Sequence, residues 1–306
     1  MKGPALPAPP VAIREALARL AYDQHVVRLV DPDLDGWDWL ATSHRGVFAI
    51  ASGRIKLVVR GWFFGVCHHG NHLFLFENCG HRDYHSNLGR IIRLDLRGKT
   101  LSAPKVIATG LHNNCHQLAV IDDLLCLVDT GNQAIRRYTF EGDAVDVHCP
   151  LPVAPHTDHS GTYAHINTIA KIGGRIGLVL HNGKVLPTKT SEIVWLDDDW
   201  KMVERYALPG HHCHDIVEDE LGRLWHSLSA EGDILRSDGT RIAITPDKMT
   251  RGIALKPEVM AVGISTFGPR HLRGTLNGSL ALLRRSDLSK IEEIDLPAAP
   301  ADVIAL

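Results

Sequence analysis

Apolar residues along this chain come in short runs of Val, Ile and Leu, interrupted by Gly, Asp or Asn about every eight to twelve residues. Such runs predict strands joined by tight polar turns. Residues 12–22 differ: their apolar side chains recur at helical spacing and predict a short amphipathic helix. A longer period of about fifty residues emerges when the segments starting at Phe64, His116, His165, His214 and Arg251 are aligned on their second apolar run. Each reads as an inner strand, a turn and a returning strand, and most continue into a third and a fourth strand.

Four-stranded units of this length cannot bury both faces alone, so they are expected to stack around an axis as the blades of a propeller. The last run, residues 296–306, reads as an inner strand that no outer strands follow. Those strands stand at the other end of the chain, in residues 37–43, 46–52 and 54–61. A blade made from both ends brings the count to six. The expected fold is therefore all-β: a six-bladed β-propeller closed by N- and C-terminal strands in one blade. Residues 32–306 form one domain in this reading, after an N-terminal extension, residues 1–31, that carries the helix.

The same alignment puts one residue per blade at the start of the inner strand, where it lines the central channel. The occupants are Phe64, His116, His165, His214, Arg251 and, in the closing blade, Ala301 or Asp302. The three histidines are spaced 49 residues apart and lie on neighbouring blades, so they are expected to converge on the axis. Ten more (His44, His81, His85, His112, His156, His159, His181, His211, His212 and His271) fall in loops expected at the same end of the ring. His68 and His69 fall in a turn at the opposite face.

Composition gives this register its meaning, because 19 of 306 residues are histidine, the commonest metal ligand. With 44% apolar residues the chain is long enough for a full core, and 33 basic against 35 acidic side chains give a net charge of −2. That balance offers no electrostatic reason to expect nucleic acid or an anionic membrane as partner. No apolar run approaches the roughly 18 residues that a span needs. The prolines among the first ten residues break the pattern of an export signal, so a cytoplasmic protein is expected. The six cysteines show no metal-type spacing and are expected as reduced thiols, with Cys115 and Cys213 packed between blades.

Three neutral imidazoles on a rigid wall make a facial ligand set that leaves a position open for substrate. The expected cofactor is one divalent transition metal, zinc or iron(II), with manganese and copper also suited to imidazole. Arg251, one blade beyond His214, suits a bidentate grip on a small anionic substrate. Arg270, Arg273, Lys184 and Lys189 add cations in loops over the same face. Phe64 and Asn167 complete the expected substrate pocket, Asn167 one layer deeper in the channel. Candidates for proton transfer are Glu77 and His181 at the ends of second strands, and His112 and Tyr163 in entry loops. Asp215, directly after His214, is expected to point away from the axis by strand alternation, where it can hold a neighbouring strand. A second metal site at His81, Asp83 and His85 matches no established spacing.

The segment that runs from His116 to Ile135 resembles an NHL repeat, with Asp129 and Asn132 in the loop after its second strand. The chain as a whole resembles the six-bladed propeller superfamily of NHL-repeat and gluconolactonase-like proteins, a likeness that implies a loop-bracing role for Asp129. The channel histidines are similar in role to those of peptidyl-amidoglycolate lyases, whose propellers hold zinc. That likeness implies lyase or hydrolase chemistry at His116, His165 and His214, although here the histidines occupy adjacent blades. Two other readings stay open: a non-haem iron(II) oxygenase with the same three ligands, and a non-catalytic propeller that binds a ligand or protein.

Overall fold

The computed structural model describes residues 27–80, 86–151, 164–182, 189–266, 268 and 275–306. The helix expected at residues 12–22, the loop holding His81, Asp83 and His85, and Tyr163 lie outside the described residues, as do His156, His159, Lys184, Arg270, His271 and Arg273. Six antiparallel sheets form a six-bladed propeller. Blade 1 has Pro300–Ala305 as its inner strand, followed outward by Trp39–Ser43, Gly46–Ala51 and Arg54–Arg60. Both chain ends therefore close the ring, with Leu40 paired to Ile304 and Thr42 to Asp302. Arg28–Leu29 adds a fifth strand against Arg54–Arg60, so part of the expected extension belongs to the propeller.

Blade 2 runs from its inner strand Phe63–His69 through His72–Asn78 and Gly89–Arg97 to an outer edge shared by Thr100–Leu101 and Lys105–Leu111. Blade 3 begins with Leu118–Ile121, blade 4 with Ile166–Ile172, blade 5 with His214–Glu218 and blade 6 with Met249–Leu255. The second strands Leu124–Asp129, Arg175–Leu180 and Val259–Ser265 are covered on both faces, which is why they read as unbroken apolar runs. Each core joins two blades: Cys126, Val128 and Ile135 of blade 3 pack on Ile166, Leu178 and Val194 of blade 4. Trp39 and Ile50 of blade 1 pack on Ala261 and Leu280 of blade 6 in the same way. At about 1.5–3 kcal/mol for each large apolar side chain removed from water, these inter-blade faces dominate the favourable side of folding. Among the described residues no helix is long and apolar enough to cross a membrane.

An irregularity recurs at the head of the inner strands. The pairing register slips between Phe63 and Val66, Ile166 and Thr168, His214 and Val217, and Thr250 and Ile253. In blade 3, His116 N–H donates to Val128 O, and Gln117 O accepts from Val128 N–H, so two residues face one. These are β-bulges, which bend the strand and re-aim its side chains. His165, Asp215 and Gly252 take positive φ at this point (52°, 61° and 85°).

The bulges let neighbouring inner strands bond one another. Asp302 Oδ2 accepts Val66 N–H of blade 2 at 3.1 Å, and Asp215 Oδ2 accepts Gly252 N–H of blade 6 at 2.9 Å. Gln117 Oε1 accepts Ile169 N–H at 2.8 Å, and Asp215 N–H donates to Thr168 Oγ1 at 3.1 Å. Where a side chain would obstruct the approach, glycine stands: a Cβ on Gly65 would sit 2.7 Å from Leu118 N, and one on Gly252 2.8 Å from Val303 N. Asp215 thus holds the neighbouring strand of the next blade, and Asn167 Nδ2 donates across blades to Cys213 O at 3.0 Å.

Candidate functional site

His116 enters the channel just ahead of its inner strand, with its ring parallel to Phe64 (2° between planes, centroids 5.5 Å apart). His116 Nε2 lies 3.4 Å from His165 Nε2, and the two rings are perpendicular. Two nitrogens bound to one tetrahedral zinc at 2.0–2.1 Å stand about 3.3 Å apart, so this separation fits a shared ion. The third expected ligand, His214, is reached through another imidazole. His181 packs 4.5 Å from His165 and 6.2 Å from His214, centroid to centroid. His214 Nδ1 meets Ser229 Oγ at 2.9 Å, which fixes the orientation of the ring.

A fifth ring completes the cluster. His212, two residues ahead of His214, directs Nδ1 onto Nε2 of His181, with the ring centroids 4.1 Å apart. His181, His212 and His214 are buried, and the backbones of His165 and His212 take positive φ. Non-glycine residues seldom adopt that conformation. Among the described residues no three His, Cys, Asp or Glu side chains share one donor point; the imidazole nitrogens meet in pairs.

The electrostatics disfavour the charged form of His214. Burial, together with the charges of Arg251, His181, His116 and His165, holds the His214 imidazole well below its ordinary pKa. Two buried acids lie within electrostatic reach of Arg251. Burial and the neighbouring Asp215 push Asp302 up to about 8, against the lowering effect of Val66 N–H, Val303 N–H and Arg251. Burial raises Asp215 as well, opposed by Ser227, Gly252 N–H and Arg251. Cys115 and Cys213 are buried free thiols between blades, as expected, and none of the six cysteines forms a disulfide.

Of the four proton-transfer candidates, His181 packs against the imidazole cluster. Glu77 is fully buried and accepts Arg90 Nε at 2.7 Å, so it braces its hairpin much as Asp129 does with Arg136 Nε at 2.6 Å and Asn132. His112 accepts Asn114 N–H on Nδ1 at 3.1 Å and fits beneath Gly131, whose Cβ would strike the ring. Tyr163 is not described. His68 and His69 lie near the turn at the opposite face, as expected. His212 was legible as one of the ten loop histidines expected at this end of the ring, in the four-residue run from His211 to His214, but not as a neighbour of His181.

No family model and no curated protein sequence matches the chain. Solved structures do. The propeller of a nidogen/laminin complex superposes with a TM-score of 0.60 at 8% identity, covering 88% of this chain and 98% of that one. Hydrazine synthase from Kuenenia stuttgartiensis aligns at 0.53 and 11% identity over 92% and 91% of the two chains. A catalytically inactive histidine-to-alanine variant of virginiamycin B lyase from Staphylococcus aureus, solved with quinupristin, aligns at 0.50 and 16% identity over 90% and 76%. At these identities the likeness is one of fold. The chain is a six-bladed β-propeller.

Proposed function

We propose that the chain is a metal-dependent enzyme of lyase or hydrolase type that acts on a small anionic organic molecule. His116, His165 and His214 hold one divalent ion at the mouth of the channel. The reading rests on the 3.4 Å approach of His116 Nε2 to His165 Nε2, two imidazoles turned nitrogen to nitrogen on adjacent blades. When bound, the ion supplies Lewis acidity that polarises a substrate oxygen. Arg251 grips the anionic group, and Phe64, flat on His116, forms the apolar wall. His181, against His165 and near His214, is the group in reach for moving a proton. A propeller lyase whose histidine-to-alanine variant is inactive supports histidine-based chemistry on this architecture.

Zinc favours elimination or hydrolysis, whereas iron(II) on the same ligands favours oxygenation. The nidogen/laminin neighbour supports the non-catalytic alternative, in which the top face binds a protein. Metal analysis of protein purified without an affinity tag separates the readings. About one equivalent or more of zinc, lost in His165→Ala, is the expected result; iron in its place moves the reading to oxygenation. Less than about a tenth of an equivalent of any transition metal, unchanged by the substitution, overturns the enzyme reading.

A further inference from the structure

His181, the imidazole in reach for moving a proton, meets a second buried imidazole, His212, to which the reading above gives no role. The two rings come from separate elements: His181 follows the second strand of blade 4, and His212 lies in the entry to blade 5. His181 Nε2 faces His212 Nδ1, with the ring centroids 4.1 Å apart and the planes at 71°. The backbone on each side holds them there. His181 N–H donates to His165 O at 3.0 Å, Asn182 N–H to Ala164 O at 2.9 Å and Asn182 Nδ2 to Thr190 O at 3.0 Å. In the entry to blade 5, His211 N–H donates to the Glu231 carboxylate at 3.1 Å and Cys213 N–H to Ser191 Oγ at 2.9 Å, so the residues on both sides of His212 are tied down.

Nitrogen against nitrogen, two neutral imidazoles make one hydrogen bond, in which one ring supplies the proton and the other the lone pair. If His181 Nε2–H donates to His212 Nδ1, both rings carry their proton on Nε2. If His212 Nδ1–H donates to His181 Nε2, both carry it on Nδ1. A neutral histidine side chain favours the proton on Nε2, the nitrogen farther from the main chain, and the first arrangement meets that preference in both rings at once. The hydrogen bond at one ring nitrogen thereby decides the role of the other. A base whose tautomer and orientation are set by a third group is the logic of catalytic triads.

We infer that His212 is a positioning residue for proton transfer: by accepting the Nε2 proton of His181 it holds that ring in one tautomer and one orientation, with the base atom at Nδ1. This rests on the reading above, which makes His181 the group that moves the proton. When Nδ1 takes a proton from the substrate, its lone pair forms the new N–H bond, the electron pair of the broken bond stays on the substrate, and the Nε2 proton stays on His181.

Magnetic resonance of the histidine ring nitrogens tests this, because a nitrogen that carries a proton and one that carries a lone pair have well-separated chemical shifts. The full chain, isotope-labelled and held in chelator at about pH 8, above the ordinary imidazole pKa of about 6.5, should show His181 Nε2 at the protonated position and Nδ1 at the lone-pair position, assigned by their loss in His181→Gln. His212→Ala should draw the two shifts toward each other as the tautomers exchange; His212→Phe, which keeps the bulk without a nitrogen, serves if the first does not fold. His212→Asn, whose Oδ1 can take the same proton and whose side chain tolerates the left-handed backbone of this position (φ 53°), should restore the unaltered pattern. A proton on His181 Nδ1 in the unaltered protein overturns the inference, as does a pattern that removal of the His212 ring nitrogen leaves unchanged. Less than about a tenth of an equivalent of metal in the same protein before chelation overturns instead the reading on which it rests.

Discussion

Asp302 provides a quantitative test of how the ring is closed. It sits on the C-terminal inner strand, and its carboxyl receives Val66 N–H from blade 2 and Val303 N–H from its own strand, at 3.1 and 2.9 Å. Burial and the neighbouring Asp215 push its pKa up to about 8. In the unfolded chain an aspartate ionises near 3.9. Between these values the folded protein holds a proton that the unfolded chain has released. Stability from this residue is therefore fully present below about pH 4 and is lost as pH rises through about 8. The slope is about 1.4 kcal/mol per pH unit, so the loss between pH 5 and 7.5 is about 3 kcal/mol.

Other groups act in the opposite sense. Burial holds His226 at about 4, so its contribution grows as pH rises from about 4 to 6.5. The quantity to measure is thus the difference between the unaltered protein and Asp302→Asn, which keeps the shape and cannot ionise. Urea unfolding at several pH values, in chelator so that metal release adds no slope, should show the variant gaining about 3 kcal/mol relative to the unaltered protein between pH 5 and 7.5. Parallel curves over that window would refute the reasoning, since Asp302 would then ionise alike in both states.

Two further substitutions probe the same belt and its brace. Gly65→Ala should lower stability by about 1–3 kcal/mol in urea unfolding, because the added methyl meets the backbone of Gln117 and Leu118 within 3 Å. Glu77→Gln should cost about 3–5 kcal/mol by leaving the Arg90 charge buried without its carboxylate, while a proton-transfer role would instead lower turnover at unchanged stability; parallel melting and activity measurements tell the two apart.

Blade number and closure were readable in advance because both follow from periodicity. Strands covered on two faces read as unbroken apolar runs, and a repeat of such runs leaves an inner strand at one end and its partners at the other. The bulges were not readable. A bulge adds a residue to one strand without marking its composition, so the partners that Asp215 and Asn167 bond on the next blade were not legible. Glu77 shows a related limit. It is directly cross-strand from Arg90, but the long connection between their strands hides that register from the sequence. His212 was expected in a loop at this end of the ring, but no period identifies a loop residue's neighbour, so its contact with His181 was not legible.

The raised pKa of Asp302 also bears on what Arg251 can bind. Arg251 lies within electrostatic reach of both Asp302 and Asp215, and two ionised carboxylates there would compete with a substrate anion for the guanidinium. Burial keeps Asp302 protonated at neutral pH, which leaves more of the positive charge of Arg251 for a ligand. As pH rises through about 8, Asp302 ionises and that charge is shared internally. Acetate, a carboxylate that stays ionised throughout this range, should therefore raise the melting temperature more at pH 7 than at pH 9. In Asp302→Asn the pH 7 response should persist at pH 9, and in Arg251→Gln it should be absent at both. An acetate response that survives Arg251→Gln would place anion binding elsewhere. An equal response at both pH values in the unaltered protein would show that the buried acid does not control the guanidinium.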